Sequence, residues 1–173
     1  MTIKRFLISI IFVFGIAQLS AQSTETKIDT NVLMTNITDL NESDNVNTNL
    51  DNLIEKYDGK VIYLDFWASW CRPCKGEMPH SLKMQDKFKD KDVAFVYIST
   101  DRDANAWQKA ISSLNITGEH YRVNKNVHSQ MNERFNVQYI PRYVLIDKKG
   151  NVVDANAKRP SNSEVAADIE KLL

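Results

Sequence analysis

An α/β fold, with a central mixed sheet and helices on both of its faces, is the architecture that this sequence predicts. Three observations lead to it. Val61-Ile62-Tyr63-Leu64-Asp65-Phe66-Trp67 and Val93-Ala94-Phe95-Val96-Tyr97-Ile98 are bulky throughout, as strands covered on both faces must be. Segments of helical period separate the strands, and strand–helix–strand alternation implies parallel pairs joined by crossovers. Finally, Arg142–Asp147 turns through Lys148-Lys149-Gly150-Asn151 into Val152–Asp154, a hairpin that adds antiparallel strands at one edge.

At the N-terminus, Lys4 and Arg5 precede an apolar stretch from Phe6 to Leu19, and the small pair Ser20-Ala21 follows. This is the build of a secretory signal over residues 1–21, cut after Ala21. The alternative is an uncleaved anchor helix. No cysteine lies there, so a lipid anchor is not expected, and the stretch is too short for a polytopic protein. Residues 22–48, rich in Thr, Asn, Ser and Asp, read as a mobile polar leader with at most a short edge hairpin.

Residues 49–173 form one domain on this reading. Leu50, Leu53, Ile54 and Tyr57 recur at helical spacing until Asp58-Gly59 stops the helix, and the strand 61–67 follows. The next helix points Met78, Leu82 and Phe88 to the core and Lys83, Lys87 and Lys89 to water. After strand 93–98, a helix capped near Asp101 carries Trp107, Ala110, Ile111 and Leu114 on one face. A short strand over 119–123 and a short helix over 126–135 precede the hairpin. Ser161 and Glu164 stand at capping-box spacing and open a last helix carrying Val165, Ile169 and Leu172.

The composition narrows function further. Of 173 residues 43% are hydrophobic, which suits one globular domain, and 22 basic residues balance 22 acidic ones. Balanced charge gives no case for tracking nucleic-acid phosphates. The two cysteines are too few for a disulfide scaffold or a Cys₄ zinc site.

Their placement carries the chemistry. Cys71-Arg72-Pro73-Cys74 lies where a buried strand gives way to a helix. That spacing puts both sulfurs within bonding reach and aims the first at unpaired helix N–H groups, which favour a thiolate. Pro73 suits a first helical turn, where its missing N–H would have no partner. Cys71, at the exposed end, is expected to attack, and Cys74, one turn inward, to resolve the mixed disulfide. A purely structural disulfide would gain little from so short a loop. A zinc site would have only His80, His120 and His128 to complete it. No metal or cofactor is expected.

Asp65-Phe66-Trp67-Ala68-Ser69-Trp70-Cys71-Arg72-Pro73-Cys74-Lys75 resembles the active-site segment of thioredoxins. Its extension Gly76-Glu77-Met78-Pro79, with Tyr139-Ile140-Pro141-Arg142-Tyr143-Val144-Leu145-Ile146-Asp147-Lys148-Lys149-Gly150 downstream, resembles the TlpA/ResA type of thiol–disulfide oxidoreductase. The resemblance covers roughly residues 49–173 and implies a thioredoxin-like three-layer fold with a Cys71–Cys74 redox disulfide. It implies that Asp65 is the buried carboxylate that moves a proton to or from Cys74, and that Glu77 is a second acid near the pair. Pro141 would be the cis-proline facing the disulfide, leaving the backbone of Ile140 to pair with an extended substrate. The substrate-binding set is then Trp70, Arg72, Pro73, Ile140, Pro141 and Arg142, with Tyr139 on the rim, while Pro79 kinks the helix. Thioredoxin has glycine at the position of Arg72 and threonine at that of Arg142; both cations are expected to favour the Cys71 thiolate and a more oxidising site.

The implied function is reduction of disulfides in exported proteins, in the periplasm or an equivalent extracytoplasmic space. Electrons would come from a membrane donor such as a DsbD/CcdA-type protein, and apocytochrome c thiols are among the targets that the resemblance suggests. A monomer without nucleic-acid partners is expected. The rivals are an oxidase or isomerase using the same cysteines, and a redox-inactive binding module or metallochaperone on the same scaffold.

Overall fold

The computed structural model describes residues 35–173; the signal at 1–21 and the first part of the leader lie outside the described residues. Six strands form one sheet in the order β1-β4-β3-β2-β5-β6: β1 (Thr35–Asp39), β2 (Val61–Trp67), β3 (Val93–Ser99), β4 (Gly118–Arg122), β5 (Arg142–Ile146) and β6 (Val152–Asp154). The first four are mutually parallel, while β5 runs antiparallel to β2 and β6 to β5. The sheet is mixed, as expected, and its central strands are the two bulky runs.

Five helices cover it: α1 (Leu50–Glu55), α2 (Arg72–Phe88), α3 (Ala104–Leu114), α4 (Lys125–Phe135) and α5 (Val165–Glu170). Alternation along β2 sorts the core into two layers. Ile62, Leu64 and Phe66 pack with Leu50, Leu53 and Ile54 of α1 and Val127, Met131 and Phe135 of α4. Val61, Tyr63 and Trp67 pack with Met78 of α2, Trp107 of α3 and Ile169 of α5. Gly59, at φ +80°, makes the turn out of α1. Gly118 opens β4 at φ +107°, where an added Cβ would lie 3.0 Å from the Phe95 carbonyl oxygen.

Four local expectations differ from the structure. Thr35–Asp39, placed by sequence in a polar leader with a possible edge hairpin, is instead an edge strand parallel to β4. Its anchors are distant: Arg122 pairs with Asp39 at 2.6 Å, both side chains largely buried, and Leu40 is fully buried. In α2 the inward positions are Cys74, Met78, Ser81, Met84 and Phe88, so Leu82 is rotated off the core face and is only half-buried. The cap of α3 is Asp103, which accepts from the backbone N–H groups of Asn105 and Ala106, and Asp101 has other partners. The capping box at Ser161 and Glu164 does not form: Glu164 makes no side-chain cap bond, and Ser161 turns to Glu77.

Candidate active site

The cysteine pair is built by the junction of β2 and α2. Cys71 is the N-cap of α2, in extended conformation, and its Sγ accepts the Cys74 N–H at 3.2 Å. Pro73 falls in the first helical turn, where it sacrifices no intrahelical bond. The two sulfurs are joined at 2.03 Å, with Cα atoms 5.3 Å apart. Cys74 is fully buried and Cys71 is 4% exposed, so what access the pair has is through Cys71. Trp70, immediately before it, is 67% exposed.

Asp65 shares the face of β2 that carries Tyr63 and Trp67, the face packed against α2 and the cysteines. It is 1% exposed, and neither carboxylate oxygen has a hydrogen-bond partner among the described residues. Burial pushes its pKa well above the usual carboxylate range, and the Glu77 charge adds to the shift. Its in-register neighbours are Tyr143 on β5 and Tyr97 on β3, and Tyr97 stacks on His120 of β4 with ring centroids 4.7 Å apart. A row Tyr143–Asp65–Tyr97–His120 therefore crosses four strands at one register. Burial pushes His120 down to about 4, opposite in sign to Asp65.

The carboxylate of Glu77 is half-buried and held by Ser161, whose N–H donates at 2.9 Å and whose hydroxyl donates at 3.0 Å. The contact ties α2 to the segment before α5. Glu77 thus acts on Asp65 through its charge while its own oxygens are engaged elsewhere.

The Ile140–Pro141 peptide bond is cis. Pro141 is buried and Ile140 is half-buried against the core, while Tyr139 is 64% exposed. The Arg142 guanidinium is committed to this loop: Nε donates to the Ala155 carbonyl at 2.9 Å, Nη2 to the Phe135 carbonyl at 3.2 Å and Nη1 to the Tyr139 hydroxyl at 3.4 Å. It also lies 5.7 Å from the Tyr139 ring centroid. Arg142 therefore braces the proline loop, and since its partners are neutral its charge is not paired by a carboxylate among the described residues. Arg72 is exposed and makes no hydrogen bond or ion pair within the described residues, so its charge stays free beside Cys71.

The sequence reading missed Asp101 and Ser69. The Asp101 carboxylate is buried and accepts from the Ser69 N–H at 2.8 Å, the Ser69 hydroxyl at 2.6 Å and the Ser99 hydroxyl at 2.7 Å. An Asp next to a predicted helix reads as a cap, and no local signal distinguishes this one. Among the described residues no group of His, Cys, Asp and Glu is arranged to hold a metal ion.

Comparison with known proteins agrees with this geometry. A profile of the thioredoxin-like family matches residues 59–152, the stretch holding both the cysteine pair and the proline loop. This chain belongs to the thioredoxin-like family. It is 25% identical over 114 residues to the ResA thiol–disulfide oxidoreductase of Bacillus cereus, covering 66% of this chain and 64% of that protein. The chain thus spans just under two thirds of that relative. Among solved structures, a Bacteroides vulgatus protein assigned as a thiol–disulfide oxidoreductase is 36% identical with a TM-score of 0.60, covering 68% of this chain and 82% of that one. A thiol:disulfide interchange protein from Bacteroides sp. is 28% identical with a TM-score of 0.60, covering 67% and 74%. The thioredoxin-like fold expected from the cysteine and proline segments is therefore the fold of this chain.

Proposed function

We propose that this thioredoxin-like protein is a thiol–disulfide oxidoreductase that reduces disulfides of exported proteins. The observation that carries the reading is Cys71 as N-cap of α2, bonded to Cys74 on the sheet face that holds the buried Asp65. In the reduced protein the Cys71 thiolate attacks a substrate disulfide, forming a mixed disulfide and expelling one substrate thiolate. Cys74 loses its proton to Asp65, directly or through water, and its thiolate attacks Cys71 Sγ. The Cys71–Cys74 bond forms, the second substrate thiolate leaves, and two electrons have passed to the substrate. Burial raises the Asp65 pKa and brings its proton affinity closer to that of a thiol, which suits a group that exchanges a proton with Cys74.

Trp70 and Tyr139, both exposed beside the pair and the proline loop, form the apolar rim for an extended substrate whose backbone pairs with Ile140. Arg72 and Pro73 complete that surface, and Arg142 supports it through Tyr139. Glu77 tunes Asp65 by its charge. The basic and apolar segment at 1–21 supports export, and a membrane donor of the DsbD/CcdA type returns electrons because an oxidising compartment offers no soluble supply.

The test is the reduction potential of the cysteine pair against defined thiol buffers, with disulfide-reductase turnover of Cys71→Ser beside it. A potential near that of thioredoxin, about −270 mV, is expected, with turnover in Cys71→Ser lower by at least about ten-thousandfold. A potential near that of DsbA, about −120 mV, would make oxidation or isomerisation the better account. Undiminished turnover in Cys71→Ser would leave the binding-module account.

A further inference from the structure

The loop that delivers the nucleophile is short and thinly anchored. Between the end of β2 at Trp67 and the cap Cys71 lie Ala68, Ser69 and Trp70; Ala68 is buried, and its carbonyl accepts the Cys71 N–H at 3.0 Å. Trp70 projects into solvent. The side-chain anchor of the loop is Ser69, with both its donors on the Asp101 carboxylate, one to each oxygen.

Asp101 is itself fixed from three sides. Its Oδ2 accepts from the Ser99 hydroxyl, and its own N–H donates back to Ser99 Oγ at 3.0 Å. Thr100, between them, donates its N–H to the Trp67 carbonyl at 3.0 Å, tying the same segment to the end of β2. Arg122 donates to the carbonyls of Asp101 at 3.5 Å and Arg102 at 3.2 Å, while its Nε and Nη2 hold Asp39 of β1 at 3.0 and 2.6 Å. A continuous hydrogen-bonded line thus runs from the first strand of the sheet to the residue two before the nucleophile.

We propose that Asp101 is a positioning residue that, through Ser69, holds the loop so that Cys71 Sγ stays on the N-terminal N–H groups of α2. Charge-assisted bonds to a buried carboxylate are the strong kind, and a carboxylate satisfies several converging donors without presenting one of its own. An amide at this position would at best reverse the bond to the Ser69 hydroxyl, which can accept as well as donate, and would remove the charge that strengthens all three. Released, the loop would let Cys71 drift from the helix terminus, where the partial positive charge that favours a thiolate falls off within one turn. The inference rests on the reading of Cys71 as nucleophile.

The experiment uses the full chain, reduced, as Asp101→Asn, Ser69→Ala, their double variant and Ser69→Thr. Asp147→Ala, which removes the acceptor of the Lys149 and Asn151 N–H groups in the hairpin at the opposite end of β2, serves as a destabilised control. Two quantities are read: thiolate titration of Cys71, and the rate at which it cleaves a dithiodipyridine disulfide at pH 7. Asp101→Asn is expected to raise the Cys71 titration by about one pKa unit and slow the attack about threefold, the tenfold loss of thiolate being partly offset by the greater nucleophilicity of a more basic sulfur. Ser69→Ala should do the same to a smaller degree, Ser69→Thr should restore it, and the double variant should be no slower than Asp101→Asn. Asp147→Ala should lower Tm and leave the titration alone. If Asp101→Asn and Ser69→Ala lose stability but titrate and react as the unaltered chain does, the positioning role is wrong. Ser69→Ala alters one hydroxyl, so it gives that answer even if Asp101→Asn does not fold. Cys71→Ser reacting at the unaltered rate would overturn the nucleophile reading itself, a different failure from the first.

Discussion

The two faces of the sheet, though built from alternate residues of the same strands, are unlike in chemistry. Toward α1 and α4, β2 presents Ile62, Leu64 and Phe66, and the phenols in that layer are satisfied: the Tyr57 and Tyr121 hydroxyls lie 2.6 Å apart, and Glu119 accepts from Tyr57 at 3.1 Å. Toward α2, α3 and α5 the same strand presents Tyr63, Asp65 and Trp67. On that side the Asp65 carboxylate, the Tyr143 hydroxyl and the indole N–H groups of Trp67 and Trp107 are buried without a partner among the described residues. One face is an ordinary core. The other accepts polar groups that weaken it, and it is the face that holds the cysteines. The difference teaches that burial serves two ends here, adhesion on one side and tuning of proton affinity on the other.

If the division is real, a cavity in the apolar face should cost stability and leave the redox pair alone. Phe66, tilted against Phe135 with centroids 6.0 Å apart, is the residue to truncate. Phe66→Ala is expected to lose about 3–5 kcal/mol in urea unfolding. The potential of Cys71–Cys74 should stay within error; a large shift would show that the two layers are coupled.

His120 sharpens the comparison from the other side. Its folded pKa of about 4 lies below the ordinary 6.5, so between these values the unfolded chain binds the extra proton. Its contribution is therefore complete above about pH 6.5 and is lost as pH falls toward 4, a change on the order of 3 kcal/mol. His120→Phe should keep the stack on Tyr97 and flatten that acid limb in a pH series of denaturation curves. An unchanged limb would mean that other groups dominate it.

Asp65 should give the smallest effect and the opposite slope. Because its folded pKa is raised, the native protein keeps a proton that the unfolded chain has released above about pH 4, and stability falls as pH rises from there. Asp65→Asn should accordingly stabilise the protein at pH 7 by about 1–3 kcal/mol and do little at pH 3.5. Reductase turnover should fall in the same variant. Loss of stability at pH 7 would instead mean that the ionised carboxylate has a partner.

The sequence by itself determined the elements whose causes are local. The bulky runs at 61–67 and 93–98, the apolar spacing from Leu50 to Tyr57 and the hairpin around Gly150 each rest on residues a few positions apart, and each is present where it was read. The cysteine pair was legible for the same reason: both cysteines, one of them the helix cap, and the first-turn proline fall within four consecutive residues. Only the tertiary structure decided what distant partners decide. Thr35–Asp39 became a strand because Arg122 and Leu40 anchor it to β4, with partners 83 residues apart. Ser161 left its expected cap for Glu77, 84 residues away, and Arg142 found carbonyls on two other segments. Asp101, read as part of a helix start, instead accepts both Ser69 donors in the loop before Cys71. The physical reason is common to all four. A polar side chain goes to the donors or acceptors that folding leaves unpaired nearby, and which ones those are is known only once the chain has packed.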